Sequence, residues 1–168
     1  MKGAENVLFL LTPGGDSFFP CELMYDRYGN MLFRVCFSIL LSHSDAEDAV
    51  QDVFYKYITK KPLFSDEEHA KAWLIRVATN RAKDMLRSRK IRSGMTLEEI
   101  EDYEMEPEQS EIISHVLSLP LKYREAIVLH HLEGYSVAEI ANMMGLSESA
   151  IKMRLTRGRD LLKDTLSR

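Results

Sequence analysis

Between residues 137 and 166 the chain carries a set of hydrogen-bonding side chains spaced to read a polyanion. Two short helices are predicted, Val137 to Met144 and Ser147 to about Leu166, joined by the tight turn Gly145-Leu146-Ser147. Ala141 is small where the helices must cross, and Gly145 supplies the positive φ that ends the first. Ile140, Met144, Leu146, Ile151 and Leu155 form their shared core. The second helix then turns Ser149, Lys152, Met153, Thr156 and Arg157 outward, with Arg154 and Arg159 at its edges. Lys and Arg donate to guanine edges or phosphates, Thr bonds or touches a thymine methyl, and a helix N-terminus attracts phosphate. A merely solvated basic helix would need neither the turn, the small crossing residue nor the buried core, so the conjunction points to a helix-turn-helix in a major groove.

A second basic segment, residues 81–92, holds six bases and one acid. Such a run at a helix end is commonly a solvated tail favoured by the helix dipole. Here aromatic residues lie nearby, and aromatic rings beside bases can stack on unpaired nucleobases. Trp73 and Tyr57 read first as core, whereas Phe64, after Lys60-Lys61-Pro62, is the stacking candidate.

Enzyme chemistry has little to stand on. The chain has no HExxH, GxSxG, Walker A or GxGxxG motif and no Cys/His set at zinc spacing. His130 and His131 are adjacent, about 100° apart on a helix, and cannot chelate as an i, i+4 pair would. No metal or cofactor is expected, and the carboxylates of Asp45, Glu47, Asp48 and Asp52 read as a solvated or partner-facing helix face.

The whole chain has 168 residues, 22 Lys+Arg against 26 Asp+Glu and a net charge of -4, which by itself argues against a nucleic-acid partner. The average conceals a partition. Residues 93–111 hold eight acids and no base, and the rest of the chain has 22 bases against 18 acids. Residues 81–92 and 151–168 are +5 and +4. Two cysteines 15 apart form no CxxC, which suits a reducing cytoplasm, and the longest early apolar run, Val7 to Leu11, is too short for a signal-peptide core or a membrane span.

The elements that must position these groups are helical. Capping boxes recur at Ser44-Glu47, Ser65-Glu68, Thr96-Glu99 and Ser136-Glu139, and strand signals are nearly absent. The fold class is all-α: two small helical domains joined by an acidic linker, the second a helix-turn-helix domain. Boundaries fall at 1–19 for an irregular N-terminal extension, 20–92, 93–108 for the linker, and 109–168. Within the first domain, helices are expected at about 20–42, 45–60 and 66–90. The middle one buries Ala46, Ala49, Val50, Val53, Phe54 and Tyr57, and the last buries Ala70, Leu74, Val77, Ala78 and Met85.

The stretch Asp45-Ala46-Glu47-Asp48-Ala49-Val50-Gln51-Asp52-Val53-Phe54, with Ala72-Trp73-Leu74-Ile75-Arg76-Val77-Ala78-Thr79-Asn80-Arg81, resembles region 2 of bacterial extracytoplasmic-function (ECF) sigma factors. Tyr123-Arg124-Glu125-Ala126, Gly134-Tyr135-Ser136, Ile140-Ala141 and Ser149-Ala150-Ile151-Lys152-Met153-Arg154-Leu155 resemble their region 4. The resemblance implies a non-catalytic promoter-specificity subunit of RNA polymerase. Asp48, Gln51, Asp52 and Tyr55 would dock on the clamp helices of the largest polymerase subunit, and the second domain on the flap of the second-largest. Lys60, Lys61, Phe64, Asn80, Lys83 and Arg87 would capture melted minus-10 DNA, Phe64 by lining a pocket for a flipped base. Lys152, Met153, Thr156 and Arg157, with Ser149, would read minus-35 duplex, and Arg154 and Arg159 would lie nearer phosphates. An anti-sigma factor partner is implied too, able to hold a cytoplasmic, non-inserted protein at the membrane. Gly158 departs from the common Ala and would weaken its helix by up to about 1 kcal/mol if exposed. Two other readings stay open: an autonomous helix-turn-helix regulator of duplex operators, and a helical protein-interaction module with incidental basic patches.

Overall fold

A computed structural model describes residues 10–11, 17–93 and 111–166. It begins with an antiparallel pair of two-residue strands, β1 (Leu10–Leu11) and β2 (Ser17–Phe18), with Leu10 opposite Phe18. The N-terminal extension is therefore not wholly irregular. Every other element among the described residues is helical, and the fold is all-α.

Three helices make the first unit: α1 (Cys21–Leu40), α2 (His43–Lys60) and α3 (Glu67–Ser93). α2 buries the six residues that its periodicity selects. Its cap differs from the one predicted. Ser42, not Ser44, accepts the Asp45 N–H at 3.3 Å, so the helix opens earlier. The next start moves one residue the other way, because Asp66 rather than Ser65 caps α3, its Oδ1 taking the His69 N–H at 2.7 Å. Both shifts follow from a neighbouring Ser or Asp competing for the same backbone donors. Glu67 then joins α1 to α3, accepting from Arg27 Nη1 at 2.6 Å and from the Tyr28 hydroxyl at 2.5 Å, which holds its carboxyl below the usual range.

α3 buries Ile75, Thr79, Ala82 and Leu86 beyond the predicted set, while Val77 and Met85 are half-buried. The reason is tertiary. The helix is packed on one side by α1 and α2 and approached on another by the second unit. Residues 94–110, which hold most of the predicted acidic linker and the Thr96 capping box, lie outside the described residues.

The second unit comprises α4 (Glu111–Leu117), α5 (Leu121–Ile127), a π-helical segment (Val128–Leu132) continuing α5, α6 (Val137–Met144) and α7 (Glu148–Leu166). The π segment shows in the Glu133 N–H reaching the Val128 carbonyl at 3.0 Å, five residues back. Ser136 and Glu139 form the predicted capping box of α6, and Gly145 ends that helix at φ 65°. Ile140, Ile151 and Leu155 are buried as expected, Met144 and Leu146 are half-buried, and Met143 joins the core instead.

α7 rests on α5 at Gly158, which is buried, not exposed. A Cβ built there would lie 2.9 Å from Ile127 Cγ1, so the glycine permits the close approach. Gly158→Ala gains about 1 kcal/mol of helix propensity but overpacks the contact at a cost of about 1–3 kcal/mol. The variant should melt below the parent chain when followed by circular dichroism; an increase in Tm would show that Ile127 yields freely.

Candidate nucleic-acid interface

The outward side of α7 carries the residues that the motif predicts. Ser149, Lys152, Met153, Thr156, Arg157 and Arg159 are exposed, Met153 at 61%, and Arg154 is half-buried at the edge. The helix holds several of them in place from within. Thr156 Oγ1 donates to the Lys152 carbonyl at 3.0 Å, Arg159 Nε to the Leu155 carbonyl at 3.2 Å, and Lys152 Nζ lies 3.7 Å from Glu148. The guanidinium groups of Arg154 and Arg157 make no hydrogen bond or ion pair with another described residue. Arg159 lies near the π segment. Burial, then His130 and Arg159, push the His131 imidazole below its usual range. His130 has a structural role, its Nδ1 donating to the Tyr135 carbonyl at 2.6 Å.

On the first unit, Lys60 and Lys61 are exposed at the C-terminus of α2, where the helix dipole favours cations. Asn80, Lys83 and Arg87 fall on one stripe of α3 by their spacing, and Arg76 extends it. Asn80 lines an open groove of about 340 Å³ with Asp52, Lys56, Trp73, Arg76 and Arg81. Lys56 and Arg76 lie outside the set that the sequence selects; their positions four residues from Asp52 and Asn80 were the available signal. Arg87 pairs with Asp84 at 3.1 Å.

Phe64 is not where a stacking residue would be. Its side chain is 1% exposed, with ring centroids 6.2 Å from Tyr57, 5.9 Å from Trp73 and 5.4 Å from His69. The loop folds inward because the aromatic cluster around Tyr57 removes far more apolar area from water than the loop surface offers. Leu63, 45% exposed, is the apolar residue that the loop presents instead. Tyr57 and Trp73 are in the packing role predicted for them. The Tyr57 hydroxyl donates to the Phe19 carbonyl at 2.8 Å, and burial pushes that phenol up to about 12.

The acidic side of α2 is divided. Asp48, Gln51 and Tyr55 are exposed, Tyr55 at 70%, whereas Asp52 accepts from Arg81 Nε at 2.6 Å. Gln51 borders a groove of about 430 Å³ between α1 and α2 lined also by Tyr25, Phe33, His43 and Glu47. Tyr25, 56% exposed and edge-on to Phe54, and Ile58, 51% exposed, extend this surface beyond the sequence prediction.

Two family models match the chain, Sigma-70 region 2 over residues 24–91 and Sigma-70, region 4 over 104–162. The chain is an ECF-type sigma factor. It is 29% identical over 160 residues to the ECF RNA polymerase sigma factor SigW of Bacillus subtilis, covering 84% of this chain and 86% of that one. It is also 29% identical over 142 residues to SigM of Mycobacterium tuberculosis, with 82% and 72% covered. Among solved structures it is similar to the sigma factor RpoE in complex with the anti-sigma factor NepR from Bartonella quintana, at TM-score 0.74, 26% identity, 87% of this chain and 96% of that one. CnrH in complex with the cytosolic domain of CnrY matches at TM-score 0.61, 25% identity, 88% and 87%. As a sigma factor the protein is a polymerase subunit that acts in transcription initiation. No helix among the described residues is long and apolar enough to cross a membrane.

Phe64→Ala tests the role given to the aromatic cluster. Truncating a buried ring costs about 3–5 kcal/mol, so urea unfolding should show destabilisation of that size, and an unchanged midpoint would return Phe64 to the surface.

Proposed function

We propose that this sigma factor divides its DNA recognition between its two units. α7 reads minus-35 duplex through Ser149, Lys152, Met153, Thr156 and Arg157, with Arg154 and Arg159 toward phosphates. The α2–α3 loop and the Asn80, Lys83 and Arg87 stripe of α3 hold the melted minus-10 strand, together with Lys60 and Lys61, with buried Phe64 supporting the loop from beneath. Asp48, Gln51, Asp52 and Tyr55 of α2 meet the clamp helices of the largest core subunit, and the second unit meets the flap of the second-largest. The observation that carries this reading is the exposed basic face of α7, whose Arg154 and Arg157 lack partners among the described residues, presented by a buried, tightly turned helix pair. A bound duplex would occupy those donors.

The division at about 93–108 gives each unit its own DNA element, with residues 1–19 outside both. The protein has no catalysis of its own and works in the cytoplasm. The complexes of RpoE with NepR and of CnrH with the cytosolic domain of CnrY support an anti-sigma partner here as well, one able to hold the chain at the membrane.

The test is transcription with core polymerase from the host, on promoters mapped after overexpression. The full chain should bind promoter weakly alone and open it with core. Lys152→Ala with Arg157→Ala should abolish minus-35-dependent binding and reduce the salt slope by about 1 for every phosphate left without its cation. Tight duplex binding without core would instead indicate an autonomous regulator, and unchanged affinity in the double variant an interaction module.

A further inference from the structure

The face of α7 proposed to read duplex DNA carries an acid at its leading end. Glu148 is the first residue of the helix, its side chain is 56% exposed, and its Oε2 lies 3.7 Å from Lys152 Nζ, one turn on. It is not the cap of the helix, since Ser147 Oγ accepts the Ala150 N–H at 3.2 Å. An acid in a first turn is favoured by the helix dipole and by a lysine four residues later, and on a solvated helix those effects would be its whole role. In a helix-turn-helix, however, the N-terminal residues of the second helix are the ones that reach base edges. Glu148 stands there with Ser149 and Lys152, all three exposed. Asp160 and Asp164, the other exposed acids of α7, lie three turns or more further along, past the residues placed on bases.

A carboxylate entering a major groove is flanked by phosphates and is favourable there only against a hydrogen-bond donor. The groove offers two, the N4 amino group of cytosine and the N6 amino group of adenine. Guanine presents N7 and O6, and thymine O4, all acceptors. Adenine also sets its N7 acceptor beside the amino group, against the second oxygen of a carboxylate, so cytosine is the better fit. In a C·G pair the N4 donor adjoins the guanine O6 acceptor, and the Glu148–Lys152 pair is the complementary arrangement, an acceptor beside a donor. We propose that Glu148 is a specificity-determining residue: with Lys152 it reads one C·G pair of the minus-35 duplex. The carboxylate accepts from cytosine N4, and the ammonium donates to guanine O6 or N7. The same carboxylate excludes T·A and G·C at that position, because it would meet thymine O4 or guanine O6. The proposal rests on the minus-35 reading by α7 and adds to it the chemistry of one base pair.

The full chain, reconstituted with core polymerase from the host and offered duplexes randomised through the minus-35 segment, reports base preference position by position. The parent should select C·G at one position. Glu148→Ala should flatten the preference there alone, and Glu148→Gln should turn it toward A·T, whose N6 and N7 an amide reads together. On single duplexes, changing that C·G to T·A should cost the parent at least about 5-fold in affinity, the lower end for a specific base contact. Glu148→Ala should bind the T·A duplex more tightly than the parent does and the C·G duplex less tightly. A general charge effect would tighten both, and a weakened helix would loosen both; either result overturns the proposal. Arg157→Ala leaves the Glu148–Lys152 pair intact and should alter a different position. If Glu148→Ala leaves every position unchanged while Arg157→Ala alters one, the cytosine contact is overturned and the minus-35 reading stands. If neither variant alters any position, the proposal is overturned through the reading on which it rests. Circular dichroism confirms that each variant remains folded.

Discussion

Charge buried on α5 is the constraint on which the second unit depends. Arg124, Glu125, Ala126 and Ile127 are consecutive and all buried, so the last turn of this short helix is enclosed, and an enclosed charge without a partner is strongly destabilising. Arg124 is met within its own unit, donating Nη1 to the Leu117 carbonyl at the end of α4. Glu125 is met from outside, by α3. One turn of helix therefore ties together the end of α4, the seat of α7 and the contact with the first unit. α7 stands on α5 where Gly158 meets Ile127, and its position is inherited from how α5 is held.

The first unit solves a different problem with aromatic rings. Tyr57, Phe64 and Trp73 pack at 6.2, 6.0 and 5.9 Å between centroids, bringing the end of α2, the following loop and the start of α3 together. The backbone that carries the exposed Lys60 and Lys61 is thereby held by an apolar floor. The same stiffness is available to the acidic side of α2, where the Asp52–Arg81 pair joins α2 to α3.

Local patterns carry much of this in advance. The six buried positions of α2, the capping box at Ser136 and the positive φ of Gly145 follow from periodicity and turn chemistry within a few residues of sequence. Where two capping residues lie close together, as at Ser42 and Ser44 or Ser65 and Asp66, sequence cannot rank them, since backbone geometry decides which side chain reaches the free N–H. Gly158 and Phe64 depart from expectation for a tertiary reason: local pattern omits the helix that presses on one and the rings that enclose the other. The pairs Arg34–Glu133 and Lys83–Glu125 join residues 99 and 42 positions apart and have no local signature at all.

The π segment at Val128–Leu132 holds one residue more than an α-helical turn would. Each residue of an α-helix advances about 100° around its axis, so this surplus acts as a phase offset between α5 and everything after it. It is what brings Glu133 and Tyr135 round to the side of α1 while leaving the α7-facing side of α5 unchanged. Deleting one codon within the segment would rotate those two residues, and with them the attachment of α6 and α7, relative to α5. The contact between the halves and the seat of α7 on α5 are thus both set by the length of this one segment.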